Sequence, residues 1–138
     1  MATTIVKLVE GMQFVGHSAS GHAVLMDSSE QSGGADSAAR PVEVLLCALG
    51  GCTGMDVISI LRKMKTEPDD LYVEIKDTRA PDYPTVFTDI HLVYRVRGNV
   101  SEVNLKKAIE LSLTKYCPIA NSLAGVANIT SEYVIKRD

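Results

Sequence analysis

The chain has 138 residues, 46% of them hydrophobic, and a formal net charge of −3. That is enough apolar content for one folded domain spanning residues 1–138, and the negative net charge and scattered basic residues argue against a nucleic-acid surface. No apolar leader follows Met1, and three cysteines without a short-spaced framework fit a reducing compartment, so a cytoplasmic address is expected.

Taken in order, residues 4–9, 12–17 and 22–27 read as short strands, with Gly16–Gly21 turning the second into the third. Residues 28–39 are polar, carry Gly33-Gly34 and read as a mobile loop. From Pro41 to about Lys65 the pattern is one long helix, apolar nearly all the way round, which predicts a buried central helix. Pro41 suits the first helical position, and Arg62, Lys63 and Lys65 suit the negative pole of the helix dipole. Glu43, Asp56 and three glycines argue against a membrane span.

Residues 71–76 and 86–97 alternate as strands, the second a long one. Ser101 can cap the next helix, whose Leu105, Ala108, Ile109, Ser112, Leu113 and Tyr116 recur at helical spacing. Cys117-Pro118 ends it, and Pro118 can open another short helix that finishes near Gly125. Ile129, Ser131, Tyr133 and Ile135 close the chain as a strand. The order β-β-β-α-β-β-α-α-β defines an α+β fold, with no βαβ alternation demanding a parallel sheet.

Two glycines, Gly50 and Gly51, sit mid-helix at a cost of roughly 1 kcal/mol each relative to alanine. They make room either for a neighbouring backbone or for a substrate or partner helix beside Cys52. Cys47 and Cys52 are five residues apart, about 140° round a helix, and so face different ways. Cys47, among leucines, reads as a buried hydrophobe, whereas Cys52 reads equally as packing or as a reactive thiol. Cys117 is the N-cap residue if Pro118 opens a helix, a place where free N–H groups favour a thiolate; the alternative reading is a cap that only satisfies those donors. Cys52 and Cys117 lie 65 positions apart, and spacing alone does not pair them.

Asp56 follows Cys52 by one turn on the same side. A carboxylate there would raise the thiol pKa unless a cation neutralised it, so a buried lysine or arginine, or a backbone cap, is expected beside it. His17, His22 and His91 lack zinc-ligand spacing with the cysteines, and no phosphate-binding or dinucleotide fingerprint is present. Neither a metal nor a cofactor is expected.

The run Pro41-Val-Glu-Val-Leu-Leu-Cys-Ala-Leu-Gly-Gly-Cys-Thr-Gly-Met-Asp-Val, followed by Lys115-Tyr-Cys-Pro-Ile-Ala-Asn-Ser-Leu, resembles the OsmC/Ohr family of osmotically inducible and organic-hydroperoxide-resistance proteins. The likeness covers nearly the whole chain, and Gly11-Met-Gln-Phe-Val-Gly with Gly33-Gly-Ala-Asp places it nearer the OsmC-like branch. The resemblance implies an intertwined homodimer, its two central helices wrapped by antiparallel-rich sheets and its active site at the subunit interface. It also implies a metal-free thiol peroxidase for small organic, lipid-like hydroperoxides. Cys52 falls on the attacking cysteine and Cys117 on the resolving one; a dithiol of the lipoyl type would reduce the resulting disulfide, a sequence consistent with the ladder of cysteine oxidation.

The family's peroxidases carry an N-terminal arginine, whereas the first arginine of this chain is Arg40; an arginine serving Cys52 must then be Arg40, Arg79 or one of the long strand (Arg95, Arg97), and Arg40, at the head of the helix, is the one assigned that role. Glu43 matches the glutamate of the OsmC branch. Glu43 and Cys52 are nine residues apart, roughly 13 Å along a straight helix and half a turn out of phase, so Glu43 would have to act across the dimer. Two other readings are a non-catalytic dimeric binding protein for apolar ligands and a thiol redox sensor.

Overall fold

The computed structural model describes all of residues 1–138. The chain divides into two compact units, Met1–Cys47 and Ala48–Asp138, the boundary falling inside the long helix.

In the first unit, β1 (Ile5–Glu10), β2 (Gln13–His17) and β3 (Ala23–Met26) form an antiparallel meander in that order. Gly11, at φ +57°, makes the tight β1–β2 link that an L side chain would strain. The sheet has almost no interior of its own: Ile5, Val6, Leu8 and Val9 of β1 are each 51–59% exposed.

The loop after β3 is tied down rather than free. The buried Asp27 carboxylate accepts hydrogen bonds from Ser28 N, Ala35 N, Ser37 N and the Ser37 hydroxyl, drawing both ends of residues 28–37 together. A 3₁₀ turn, Glu30–Ser32, lies within it, capped by Ser29. The hydrogen bonds from the Ser37 hydroxyl and then the Ser37 N–H hold the Asp27 carboxyl down at about 2.

Helix α1 (Pro41–Lys63) starts as its sequence dictates. Pro41 takes the first helical position, and Glu43 Oε1 accepts from Arg40 N at 2.8 Å, the reciprocal half of a capping box. Its burial departs from the expectation of an all-round core helix. Within the chain only the stripe Leu49, Thr53, Val57 and Leu61 is buried, while Met55 is 75% exposed. By length and composition alone α1 could also cross a bilayer.

In the second unit, β4 (Asp70–Arg79), β5 (Phe87–Arg97) and β6 (Asn128–Lys136) form a sheet in the order β4-β5-β6. β4 and β5 pair antiparallel, Val73 opposite Tyr94. β5 and β6 pair parallel, Tyr94 opposite Tyr133, which the absence of βαβ alternation had not led one to expect. The crossover is α2 (Glu102–Leu111), a π-helical turn Ser112–Tyr116 and α3 (Pro118–Leu123). Ser101 caps α2 through Asn104 N, and the residues at helical spacing in α2, Leu105, Ala108 and Ile109, are its buried ones. The central strand β5 buries Ile90, Leu92, Val93, Tyr94 and Val96.

The mid-helix glycines divide by role. A Cβ on Gly50 would stand 2.9 Å from Ile75 Cδ1, and one on Gly54 would stand 3.8 Å from Val73 Cγ2, so the glycines at 50 and 54 let α1 lie close on β4. A Cβ on Gly51 meets nothing within 4 Å in the chain.

Asp27→Asn should speed hydrogen exchange of the Ala35 and Ser37 amides by on the order of tenfold, since a charged acceptor becomes a neutral one. In the unsubstituted chain the depressed Asp27 pKa means that this protection is present above the ordinary carboxylate range and is lost as pH falls towards about 2. Unchanged exchange in the variant would show that the loop is held by something else.

Candidate functional site

Cys52 and Asp56 project from α1 one turn apart, and Cys117 faces them from the junction of the π-helical turn and α3. The Cys52 Sγ, Cys117 Sγ and an Asp56 carboxylate oxygen all lie within 4.8 Å of one another. The two thiols, left unpaired by their spacing in the sequence, are thus neighbours. Cys117 is fully buried, Cys52 and Asp56 half-buried.

The local chain explains how Cys117 is aimed. Pro118 cannot continue a helix and pushes Cys117 into extended backbone, φ −80° and ψ 105°. From there Cys117 N donates to Ser112 O at 2.8 Å, closing the π-helical turn, and Cys117 Sγ accepts from Ala120 N at 3.3 Å. Asn121 Nδ2 donates to Leu113 O and Cys117 O, locking the corner.

The N-cap position was expected to favour a thiolate at Cys117. The cap hydrogen bond is present, but burial outweighs it and pushes the thiol up to about 11. The adjacent Cys52 sulfur adds to the rise, against the lowering effect of the Ala120 N–H. Cys117 therefore keeps its proton at neutral pH.

Asp56 has neither the buried cation nor the backbone cap anticipated for it. Its Oδ2 accepts from the Ser112 hydroxyl at 2.9 Å. Ser112 Oγ is 2.6 Å from Thr53 Oγ1, which is 2.7 Å from the Tyr94 hydroxyl. Each hydroxyl has one hydrogen, so with Ser112 donating to the carboxylate, Thr53 donates to Ser112 and Tyr94 donates to Thr53. Thr53, Ser112 and Tyr94 are fully buried, and burial pushes the Tyr94 phenol up to about 12, in keeping with a neutral donor. Sequence reasoning missed this chain, because a threonine and a serine on helical faces look like ordinary small residues.

A groove of about 350 Å³ adjoins the carboxylate, lined by Asp56, Ser59, Ile60, Lys63, Leu111 and Tyr116, among others. The other residues singled out in the sequence are engaged elsewhere. Arg40 Nη1 binds Asp36 Oδ1 at 2.7 Å and the Ala38 carbonyl, and Glu43 caps the head of α1 through Arg40 N. Arg95 pairs with Glu74, Arg97 with Asp69, and Arg79 lies over the Phe87 ring. Cys47, expected to be buried, is exposed in the chain. His17 and His22 are exposed, and His91 Nδ1 meets Thr130 Oγ1 across the β5–β6 pair.

A two-sheet α+β fold presenting a pair of free thiols between its long helix and a proline-broken corner defines a class of small thiol proteins. The model of the OsmC-like proteins matches residues 33–132, and the chain belongs to that family. It is 40% identical over 131 residues to Protein YhfA of Escherichia coli K12, covering 94% of this chain and 95% of that one. Among solved structures it is similar to an OsmC-like protein of Mycoplasma pneumoniae, with TM-score 0.84 and 17% identity over 99% of this chain and 98% of that one. It is also similar to an organic hydroperoxide resistance protein OsmC of Legionella pneumophila, with TM-score 0.70 and 15% identity over 95% and 96% of the two chains. At these identities the two structures bear on the fold alone.

Two measurements probe the site directly. In the reduced chain Cys117 should be the last cysteine alkylated at neutral pH, its rate climbing until about pH 11 as the buried thiol ionises; peptide mapping that finds Cys117 modified first would contradict this. Thr53→Val keeps shape but removes the central hydroxyl, leaving the Tyr94 hydroxyl unpaired. It should cost about 1–3 kcal/mol in urea unfolding, and a neutral effect would show that the hydroxyl chain contributes nothing.

Proposed function

We propose that the chain is a cysteine-based peroxidase that reduces organic, lipid-like hydroperoxides in the cytoplasm as part of oxidative-stress defence. The observation that carries this reading is the approach of the Cys52 and Cys117 sulfurs to within 4.8 Å, close enough for a modest movement to join them. Family membership and the free state of all three cysteines support it.

The two thiols differ in a way that suits separate roles. Cys52 is the more accessible and attacks as the thiolate. Its sulfur takes the terminal peroxide hydroxyl, the O–O bond breaks, and the expelled alkoxide takes up, from solvent, the proton that Cys52 lost on ionising and leaves as the alcohol, giving the Cys52 sulfenic acid. Cys117 then attacks that sulfur, the S–S bond forms, the S–O bond breaks, and water leaves. Asp56, close to both sulfurs, accepts the Cys117 proton and passes it to the departing hydroxide. An external dithiol of the lipoyl type supplies the two electrons that restore both thiols.

The same reading includes a homodimer with each site completed by the partner chain. Large apolar side chains stand exposed on β1 (Ile5, Val6, Leu8 and Val9) and on α1 (Val42 and Met55), and exposed apolar residues of this kind favour a partner surface. Arg40 and Glu43, both at the head of α1, are the residues assigned to act across that interface.

With cumene hydroperoxide and dihydrolipoamide, the reduced protein should turn over. Cys52→Ser should lower the rate by at least about a hundredfold, and Cys117→Ser should consume one equivalent and stall. Undiminished turnover in Cys52→Ser would overturn the proposal. Leu8→Lys on β1 should give monomers with turnover at least about tenfold lower, whereas fully active monomers in sedimentation-matched assays would remove the shared site.

A further inference from the structure

The three groups that meet at the site are also a set of metal ligands, a use that spacing in the sequence gave no reason to expect. We propose that Cys52 Sγ, Cys117 Sγ and an Asp56 carboxylate oxygen bind one zinc ion in the reduced chain. Tetrahedral zinc with two sulfurs and one oxygen holds its ligand atoms about 3.6–3.8 Å apart, given bonds of about 2.3 Å to sulfur and 2.0–2.2 Å to oxygen. The observed separations, all within 4.8 Å, need a closure of roughly 1 Å at most to meet that geometry.

The surroundings are those of a ligand set held in place. The Ser112 hydroxyl donates to Asp56 Oδ2, which orients the carboxylate and leaves its other oxygen free. The Ala120 N–H donates to Cys117 Sγ and supports the anionic form that a metal requires. Asp56 also borders the groove, so the fourth position of the ion can be taken by water, as in an open three-ligand site. Two thiolates with one carboxylate favour zinc over magnesium or calcium, which prefer all-oxygen ligands.

Such an ion would hold the two sulfurs as separate thiolates and occupy the approach to Cys52, so metal binding and disulfide formation exclude each other. Binding would release protons from the thiols and would strengthen as pH rises. The site stands whether or not the chain turns over hydroperoxides, and its test uses no peroxide.

The reduced full chain is titrated anaerobically with cobalt(II) and then with zinc. One equivalent of cobalt should produce thiolate-to-metal charge-transfer absorption with tetrahedral ligand-field bands, and one equivalent of zinc should displace it. Asp56→Asn should weaken cobalt binding at least about tenfold, Cys52→Ser or Cys117→Ser should abolish the two-thiolate spectrum, and Cys47→Ser should leave it unchanged. In the unsubstituted chain, zinc should shield Cys52 and Cys117 from alkylation while Cys47 reacts at its metal-free rate, a readout that needs no variant to fold. Absence of the charge-transfer band, its loss in Cys47→Ser, equal binding by Asp56→Asn, or unshielded Cys52 and Cys117 would each overturn the proposal.

Discussion

The hydroxyl of Thr53 is the tie on which the site depends. It bonds at once to Tyr94 in the central strand and to Ser112 in the π-helical turn, positions 41 and 59 residues further along the chain. Thr53 sits beside Cys52 in sequence, and Ser112 O receives the N–H of Cys117. One small polar bridge therefore fixes the face that α1 turns inward and the corner from which the second thiol approaches. In a buried setting such a chain is stabilising only while every member is paired, and here the Asp56 carboxylate takes the last hydrogen.

Cys117 shows two physical effects in direct competition. Its position before Pro118 gives it an N-cap hydrogen bond that stabilises an anion, while its complete burial penalises the same anion. Burial wins, and the consequence is asymmetry. One thiol is sealed, protonated and held by backbone; the other stands on an open helix beside a glycine whose missing side chain leaves space. A dithiol whose members were equally exposed would have no built-in order of attack.

Much of this fold was legible in the chain. Pro41, Ser101 and Cys117-Pro118 mark helix starts through capping chemistry, and the alternation over residues 86–97 marks the central strand; most element ends fall within a residue or two of expectation, but β4 runs three residues past the expected 71–76, because Asp77, Thr78 and Arg79 still pair with β5. The parallel pairing of β5 with β6 was hidden because two helices and a π-helical turn make up the crossover, and only the observed register reveals it. The loop after β3 looked mobile because its composition is polar, yet one aspartate gathers its N–H groups. The two cysteines were recognisable as candidates through their flanking motifs, but their proximity, and the Ser112 partner of Asp56, depend on tertiary contacts between distant segments.

The central helix marks the remaining limit of sequence reading. Hydrophobic residues all round a helix state that most of its surface leaves water, without stating whether the covering atoms belong to the same chain. In this chain a single stripe, Leu49-Thr53-Val57-Leu61, is covered from within, and the expected burial of Cys47 and Met55 is not met. The N-terminal sheet carries the same excess, with apolar residues open along β1 and on β3 at Val24 and Leu25. Apolar area of this extent is unfavourable in water at about 25 cal/mol per Å², so two separate segments carry the same unmet demand.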